Sequence, residues 1–212
     1  YLDLVLQKFL GPLDEMVEEK LERARKRSSE AIELINNVLK ISKLKIEDSF
    51  SKEEVDIASI LARAIKSAKV NAEAQGVKLS LTSNRKEKYK IEGDPLLIQI
   101  ALSNIIGNAI KYNNMDGIVE ITVDQDKDNL IIRVCDNGLG IPKEELDKIF
   151  VDFFRASNIQ HSGLEGSGLG LSIVKQIIER HGGTINVQSP SHLSTNKNPG
   201  TCVKITLPFL KK

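Results

Sequence analysis

Asn104, Asn108, Lys111 and Tyr112 follow one another at steps of four, three and one within "SNIIGNAIKYNN". At about 100° per residue, those steps fall on one stripe of a helix. The surrounding sequence, "DPLLIQIALSN" and the isoleucines after it, is apolar enough to be packed on most sides. A core helix that keeps two amides, an ammonium and a phenol on one stripe does so for a reason that packing alone does not supply.

Three further stretches carry residues suited to chemistry. In "VCDNGLGIP" a strand ends at Asp136, and Gly138 and Gly140 bracket a leucine. Such glycines mark a tight turn where something approaches the backbone closely. An ionised aspartate only accepts hydrogen bonds, which suits an exocyclic amine such as that of adenine. In "GLEGSGLGLSIVK", Gly166, Gly168 and Gly170 lead into a helix whose first N–H groups suit phosphate oxygens. The spacing is neither the dinucleotide fingerprint nor a P-loop. "KIFVDFFRAS" ends an apolar cluster in Arg155, whose guanidinium suits a phosphate. Taken singly, each has a plain reading: an Asn-Gly turn, a flexible linker and a surface arginine.

The elements that would position these residues follow from periodicity. Residues 16 to 46 place Val17, Leu21, Ala24, Ser28, Ala31, Ile35, Val38 and Ser42 on a heptad seam, widened by Ile32, Leu34, Leu39 and Ile41. With "YLDLVLQKFL" and the turn "GPLDE" before it, this predicts a helical hairpin. Its face is too wide for one partner helix, so a four-helix dimer is the natural solution. "KIEDSFSKEEV" marks a boundary, dividing the chain into residues 1–50 and 51–212. Beyond it the patterns predict helices over 56–75 and from Asp94-Pro95 onward, a short helix in "PKEELDKIF", and a helix in "LGLSIVKQIIERHGG". Strands are predicted in "VKLSLT", "YKIEG", "GIVEITVD", "NLIIRVCD", "TINVQS" and "TCVKITLP". The fold class is α+β: a two-layer sandwich in which helices cover one face of a mixed sheet, preceded by the hairpin.

Composition narrows the partners. The chain has 212 residues, 30 basic against 29 acidic, and a net charge of +1, which gives no electrostatic reason to expect nucleic acid. The run "RARKR" sits among glutamates and reads as a solvated helix face. No apolar run approaches the roughly 20 residues of a membrane span. Cys135 and Cys202 lie in apolar runs without metal-site spacing and read as small buried hydrophobes, with no disulfide framework. His161, His181 and His192 are scattered and suggest no metal-ligand set. His181, before the Gly-Gly that ends its helix, reads as structural.

In order and spacing, these stretches resemble the ATP-binding domain of sensor histidine kinases, in the wider group that includes DNA gyrase, mismatch-repair and heat-shock chaperone ATPases. "NIIGNAIKY" resembles the N box, "DNGLGIP" the first glycine box, "IFVDFFR" the F box, "GSGLGLSIVK" the second glycine box and "GTCVKITLP" the closing segment. The resemblance covers about residues 53 to 208, and the hairpin resembles part of the dimerisation and phosphotransfer domain. It implies that Asn108 gives an amide oxygen to Mg²⁺, with Asn104 lining the same region. Lys111 and Arg155 would meet phosphate charge, and Tyr112 would pack on the base. Asp136 would take the adenine amine beside Gly138 and Gly140, with Thr201 supporting that end through water. Residues 152 to 167 would form a lid, and Gly166, Gly168, Leu169 and Gly170 would hold the phosphate chain.

The activity so implied is transfer of the γ-phosphoryl group of ATP to a histidine. The implied partners are a response regulator with a receiver aspartate and a second copy of the chain, paired through the hairpin. A cytoplasmic setting is implied too, with membrane attachment only through other parts of a parent protein. None of the three histidines has the family's acceptor context, and the chain opens at Tyr1 in mid-pattern, so the first hairpin helix reads as truncated. Other readings are a degenerate nucleotide-binding scaffold, or another ATPase of the same fold such as a serine kinase. Against the last, gyrase-type relatives carry an acidic residue where this chain has Asn104, a poor general base.

Overall fold

The computed structural model describes residues 1–7, 9, 11–46, 53–83, 89–126, 128–164 and 166–209. The chain divides into two compact units: Tyr1–Lys45, with which Gly166 and Ser167 are grouped, and a larger unit over Ile46–Leu164 and Gly168–Lys212.

In the first unit, α1 (Leu2–Leu6) turns through Gly11 into α2 (Glu15–Ile46). Asp14 accepts the Met16 N–H at 2.9 Å, and Glu15 and Glu18 occupy the first turn, where negative charge suits the helix dipole. Asp3 of α1 lies 3.8 Å from Arg25 of α2, an exposed pair that brings the two arms side by side. The basic run is a solvated face: Arg23 pairs with Glu19, and Arg25 with Glu22. Val17 and Ile35 on the seam and Ile32 beside it are 45%, 59% and 60% exposed. Beyond Ile35 only the backbone of α2 is described, so the Val38 and Ser42 side chains lie outside the described residues. So does the expected boundary at residues 50 and 51.

The larger unit contains a two-stranded ribbon and a five-stranded sheet. β1 (Glu53–Asp56) pairs antiparallel with β3 (Lys90–Gly93). The main sheet has the order β2 (Lys78–Ser83), β4 (Ile118–Asp126), β5 (Asn129–Asp136), β7 (Cys202–Pro208), β6 (Thr184–Gln188). β2 and β4 are parallel, and the other neighbours are antiparallel. Alternate residues of the inner strands point to one buried face: Val119, Ile121 and Val123 from β4, Leu130, Ile132 and Val134 from β5, and Val203, Ile205 and Leu207 from β7. Over this face lie α3 (Ile57–Ala74), α4 (Pro95–Lys111) and α6 (Gly170–Arg180). They contribute Ile60 and Leu61, then Ile98, Leu102, Ile105 and Ile106, then Ile173, Val174 and Ile177, all almost fully buried. Each such side chain stabilises the fold by about 1.5–3 kcal/mol. The mixed sheet under one helical layer is the expected α+β sandwich.

Local chemistry sets the helix ends. Asp56 caps Ala58 at the start of α3, and Gly76, with φ +68°, follows its end. Asp94 accepts from the Leu96 and Leu97 N–H groups at 2.9 and 3.0 Å, and Pro95 takes the first position of α4. His181, at the end of α6, is buried. Its Nε2 accepts the Asp94 N–H at 3.0 Å while its Nδ1 lies 2.7 Å from the Ile177 carbonyl. A backbone N–H can only donate, so the ring is the Nδ1–H tautomer, and the end of α6 fixes the start of α4. The structural role expected of His181 is therefore specific.

Four expectations are corrected. Residues 53–55, read as boundary, form β1 together with Asp56, expected to open the helix. "PKEELDKIF" is not a helix of ordinary pitch. One 3-10 turn at Lys143–Glu145 continues as bonds from residues 145, 148, 151 and 154 to carbonyls three residues back. Residues 157–161, for which no element is predicted, form α5 (Ser157–His161), whose first N–H is taken by the Glu145 carboxylate. Lastly, Cys135 and Cys202 are joined as a disulfide. They sit opposite each other in the β5–β7 register, with Cα atoms 4.0 Å apart, which no local spacing reveals.

Replacing His181 by Ala removes the acceptor of the Asp94 N–H and opens a cavity between α4 and α6. Denaturant unfolding is expected to show a loss of about 1–3 kcal/mol, with ligand-independent loosening of the α4 N-terminus in hydrogen exchange.

Candidate functional site

The α4 stripe persists in the folded chain. Ile105, Ile106, Ala109 and Ile110 are buried, whereas Asn104, Asn108, Lys111 and Tyr112 are only half-buried. Asn104 Nδ2 donates to the Ile100 carbonyl at 2.9 Å, which orients its amide. A Cβ placed on Gly170 would stand 3.5 Å from Asn104 Oδ1 and 3.7 Å from Asn108 Nδ2, so the N-terminus of α6 abuts both amides. Among the described residues no side chain caps that terminus. Lys111 Nζ lies 5.7 Å from the centroid of the Tyr112 ring, at the range of a cation–π contact.

Asp136 closes β5 beside the C-terminal end of α4. Its backbone N–H donates to the Thr201 carbonyl at 2.8 Å. In return, its Oδ1 accepts from the Thr201 N–H at 3.1 Å and the Gly138 N–H at 2.9 Å. Both bonds fall on Oδ1, and among the described residues no donor is placed on Oδ2. Burial raises the carboxyl from 3.8 to about 6, with the two N–H bonds pulling the other way. Desolvation wins. Thr201 thus engages Asp136 directly, through its main chain.

The glycines act mainly by letting chain meet chain. A Cβ on Gly138 would overlap the Tyr112 carbonyl, which instead accepts the Leu139 N–H at 3.0 Å. One on Gly140 would overlap Pro199, and one on Gly168 would overlap the Phe153 and Phe154 carbonyls. Phe153 itself has φ +64°, a strained conformation for an aromatic residue. Lys175 of α6 lies 5.4 Å from the Phe150 ring centroid, which holds the Phe-rich segment on α6. Arg155 is half-buried; its guanidinium donates to the Leu164 carbonyl, and its buried Nε has no partner among the described residues. Leu169 is buried at the start of α6, and Gly166 is grouped with the first unit.

So Asn104, Asn108 and Gly170 converge, as do Tyr112, Gly138, Asp136 and Thr201. Arg155 turns to Leu164. Sequence reasoning missed the residues that hold this frame. Asn158 donates to the Gly140 carbonyl at 3.0 Å, Ser191 Oγ to the Asp136 carbonyl at 2.6 Å, and Ser189 Oγ to the Gly200 carbonyl at 2.7 Å. Of the two serines, Ser191 lies in the polar stretch "PSHLSTNKNPG" and Ser189 ends the predicted strand "TINVQS", and neither position announces a partner in sequence. The set fits a nucleotide and a hard cation on chemical grounds: a carboxylate oxygen for an amine, amide oxygens beside an uncapped helix start, and an orphaned guanidinium nitrogen.

The family model described as histidine kinase-, DNA gyrase B-, and HSP90-like ATPase matches residues 93–211. The chain is 32% identical over 198 residues to sensor protein kinase WalK of Staphylococcus aureus, covering 92% of this chain and 46% of that protein. It shares 30% identity and a TM-score of 0.63 with the structure of the mycobacterial sensor histidine kinase MprB, over 74% of this chain and 97% of that one. With the structure of histidine kinase ThkA in complex with response regulator protein TrrA, the TM-score is 0.72 at 20% identity, over 99% of this chain and 58% of that one, a likeness of fold alone. The chain spans 29 to 46% of the length of the curated relatives it matches. A family model over more than half of the residues, and a sensor kinase domain matched over nearly its whole length, make this chain a member of the sensor histidine kinases and of their wider ATPase family.

Proposed function

We propose that this chain is the kinase core of a sensor histidine kinase, binding ATP and passing its γ-phosphoryl group to a histidine of the dimerisation domain. The observation that carries the reading is Asp136: a buried carboxylate held on one oxygen by two main-chain N–H groups, with the other oxygen left to accept an adenine amine. Tyr112 and the turn through Gly138 and Gly140 flank that position. Lys111 and Arg155 supply cations for phosphate charge, Arg155 by leaving the Leu164 carbonyl. Gly168 and Gly170 flank the start of α6, where no side-chain cap is placed among the described residues and main-chain N–H groups suit phosphate oxygens. Asn108, with Asn104 beside it, would hold Mg²⁺, which when bound neutralises phosphate charge.

In the transfer, the bond from the γ-phosphorus to the ADP oxygen breaks as a bond to a neutral imidazole nitrogen forms. The contribution of the protein is positioning and charge. Of the chain's own histidines, none lies on α1 or α2, and His181 is committed to the fold. The acceptor in this reading belongs to the dimerisation domain, and a receiver aspartate of a response regulator takes the group next. Exposed Val17 and Ile35 on the heptad seam, with Ile32 beside it, support pairing with a second copy through α2. No helix among the described residues is long and apolar enough to cross a membrane, and the use of ATP suits a cytoplasmic setting.

The test is calorimetric titration of the chain with ATP, with and without Mg²⁺, followed by phosphotransfer to a separately supplied helix bearing the acceptor histidine. Mg²⁺-dependent binding and a labelled helix are expected. Binding without transfer would leave the scaffold reading, and absence of binding would overturn the nucleotide site. Asp136→Asn is expected to weaken ATP binding roughly 10- to 150-fold, the worth of a charged hydrogen bond. In the unmodified chain, affinity should fall as the pH drops below about 6.

Stability should move the opposite way. Because burial lifts Asp136 from 3.8 to about 6, the protonated form favours folding. That contribution is complete below pH 3.8 and is lost as the pH rises through 6. The loss is at most about 3 kcal/mol. Unliganded Asp136→Asn should therefore unfold at higher denaturant than the unmodified chain at pH 7, with the gap closing near pH 4. Equal stability at pH 7 would show that the carboxylate is not desolvated.

A further inference from the structure

The outer face of the sheet, away from the helices, carries a cluster that the nucleotide site does not use. Glu120 of β4, Cys135 of β5 and Cys202 of β7 are register partners across three neighbouring strands, so their side chains share one face. Over them lies His192, from the loop between β6 and β7. Ligand atoms of Cys135, Cys202 and His192 all lie within 4.8 Å of one another. The histidines are scattered in sequence, yet folding brings this one to both sulfurs. His192 Nε2 is bonded to Glu120 Oε2 at 2.7 Å, which leaves Nδ1 as the nitrogen available to an ion. The loop that bears His192 is anchored at the residue before it: Ser191 Oγ donates to the Asp136 carbonyl, and the Ser191 N–H donates to the Pro199 carbonyl. His192 is exposed and Cys202 half-exposed, so the cluster opens to solvent.

We propose that, when its two cysteines are reduced, this cluster binds a thiophilic divalent cation of the Zn²⁺ class through Cys135, Cys202 and His192. Two thiolates and an imidazole are soft and borderline ligands that select such ions over Mg²⁺ or Ca²⁺. A tetrahedral zinc centre spaces such ligand atoms about 3.5–3.8 Å apart, within reach of the present arrangement once the sulfurs separate. Glu120 has the place of the outer carboxylate that fixes a metal-bound imidazole. A disulfide alone gives no reason for an imidazole to be held over it by a carboxylate. In the bonded form the sulfurs are withdrawn from coordination. Reduction by a phosphine consumes one water and yields two thiols and the phosphine oxide, and ion binding then expels the two thiol protons.

Co²⁺ is the probe, titrated into the whole chain after phosphine reduction and removal of excess reductant, with Zn²⁺ as competitor. The expected result is one Co²⁺ per chain, with thiolate-to-cobalt charge-transfer absorption and tetrahedral d–d bands that Zn²⁺ abolishes. The oxidised chain should show neither band. Cys202→Ser should lose the charge-transfer intensity of one sulfur, and His192→Ala should bind at least tenfold more weakly. Glu120→Gln should weaken binding about 10- to 100-fold, the usual cost of losing an outer-shell partner. Far-ultraviolet circular dichroism checks each fold, and His192→Ala, in an exposed loop, carries the test if Cys202→Ser does not fold. Absence of stoichiometric binding by the reduced chain, or bands unchanged in His192→Ala, would overturn the site.

Discussion

The junction of Asp136 with Thr201 is the constraint on which the larger unit depends. At the last position of the central strand, two main-chain groups and one carboxylate oxygen close a small ring of hydrogen bonds between β5 and β7. It ties the end of one strand to the approach of another 65 residues later. It also holds a carboxylate in a place from which water has largely been removed. Ser191 secures the same residue from the other side by donating to its carbonyl. The aspartate is thus gripped at its N–H, its carbonyl and one side-chain oxygen, and its direction is set by backbone rather than by a rotamer alone.

Close approach of chain to chain is the second constraint, and it explains the glycines better than flexibility does. The turn after Asp136 fits under the end of α4 only because Gly138 brings no side chain against the Tyr112 carbonyl. The start of α6 fits against the Phe-rich segment only because Gly168 brings none against Phe153 and Phe154. A linker would have no such neighbours. These contacts bring the end of β5, the end of α4 and the start of α6 to one edge of the sandwich. Meanwhile His181 couples the far ends of α4 and α6, so the two helices are located at both ends.

What could be read from the sequence is what local chemistry decides. Asp94-Pro95 announced the start of α4 because capping needs only residues two and three positions on. The stripe at Asn104, Asn108, Lys111 and Tyr112 was visible because helical period alone puts these residues together. The β5–β7 register was not visible, and everything that hangs on it was missed: the Cys135–Cys202 bond, the main-chain contact of Thr201, and the grip of Ser191. Asn158 escaped notice because its partners, the Leu139 and Gly140 carbonyls, are 19 and 18 residues away. The residues after Pro142 misled because their composition suits a helix, whereas the bonds observed skip three residues and hold a tighter path.

Two buried polar side chains in this unit show why one is read as structure and the other as a site. His181 is enclosed, but both ring nitrogens have partners, so its burial is compensated and it serves as a strut. Asp136 is enclosed to a similar degree, yet both of its donors converge on Oδ1. Its carboxyl is lifted to about 6 because burial outweighs those two bonds. A merely structural role at that position would be met by asparagine, which accepts the same two bonds without bringing a charge into the interior. A carboxylate kept there, short of one donor, is a cost to the unliganded fold that only a donor from outside the chain can offset.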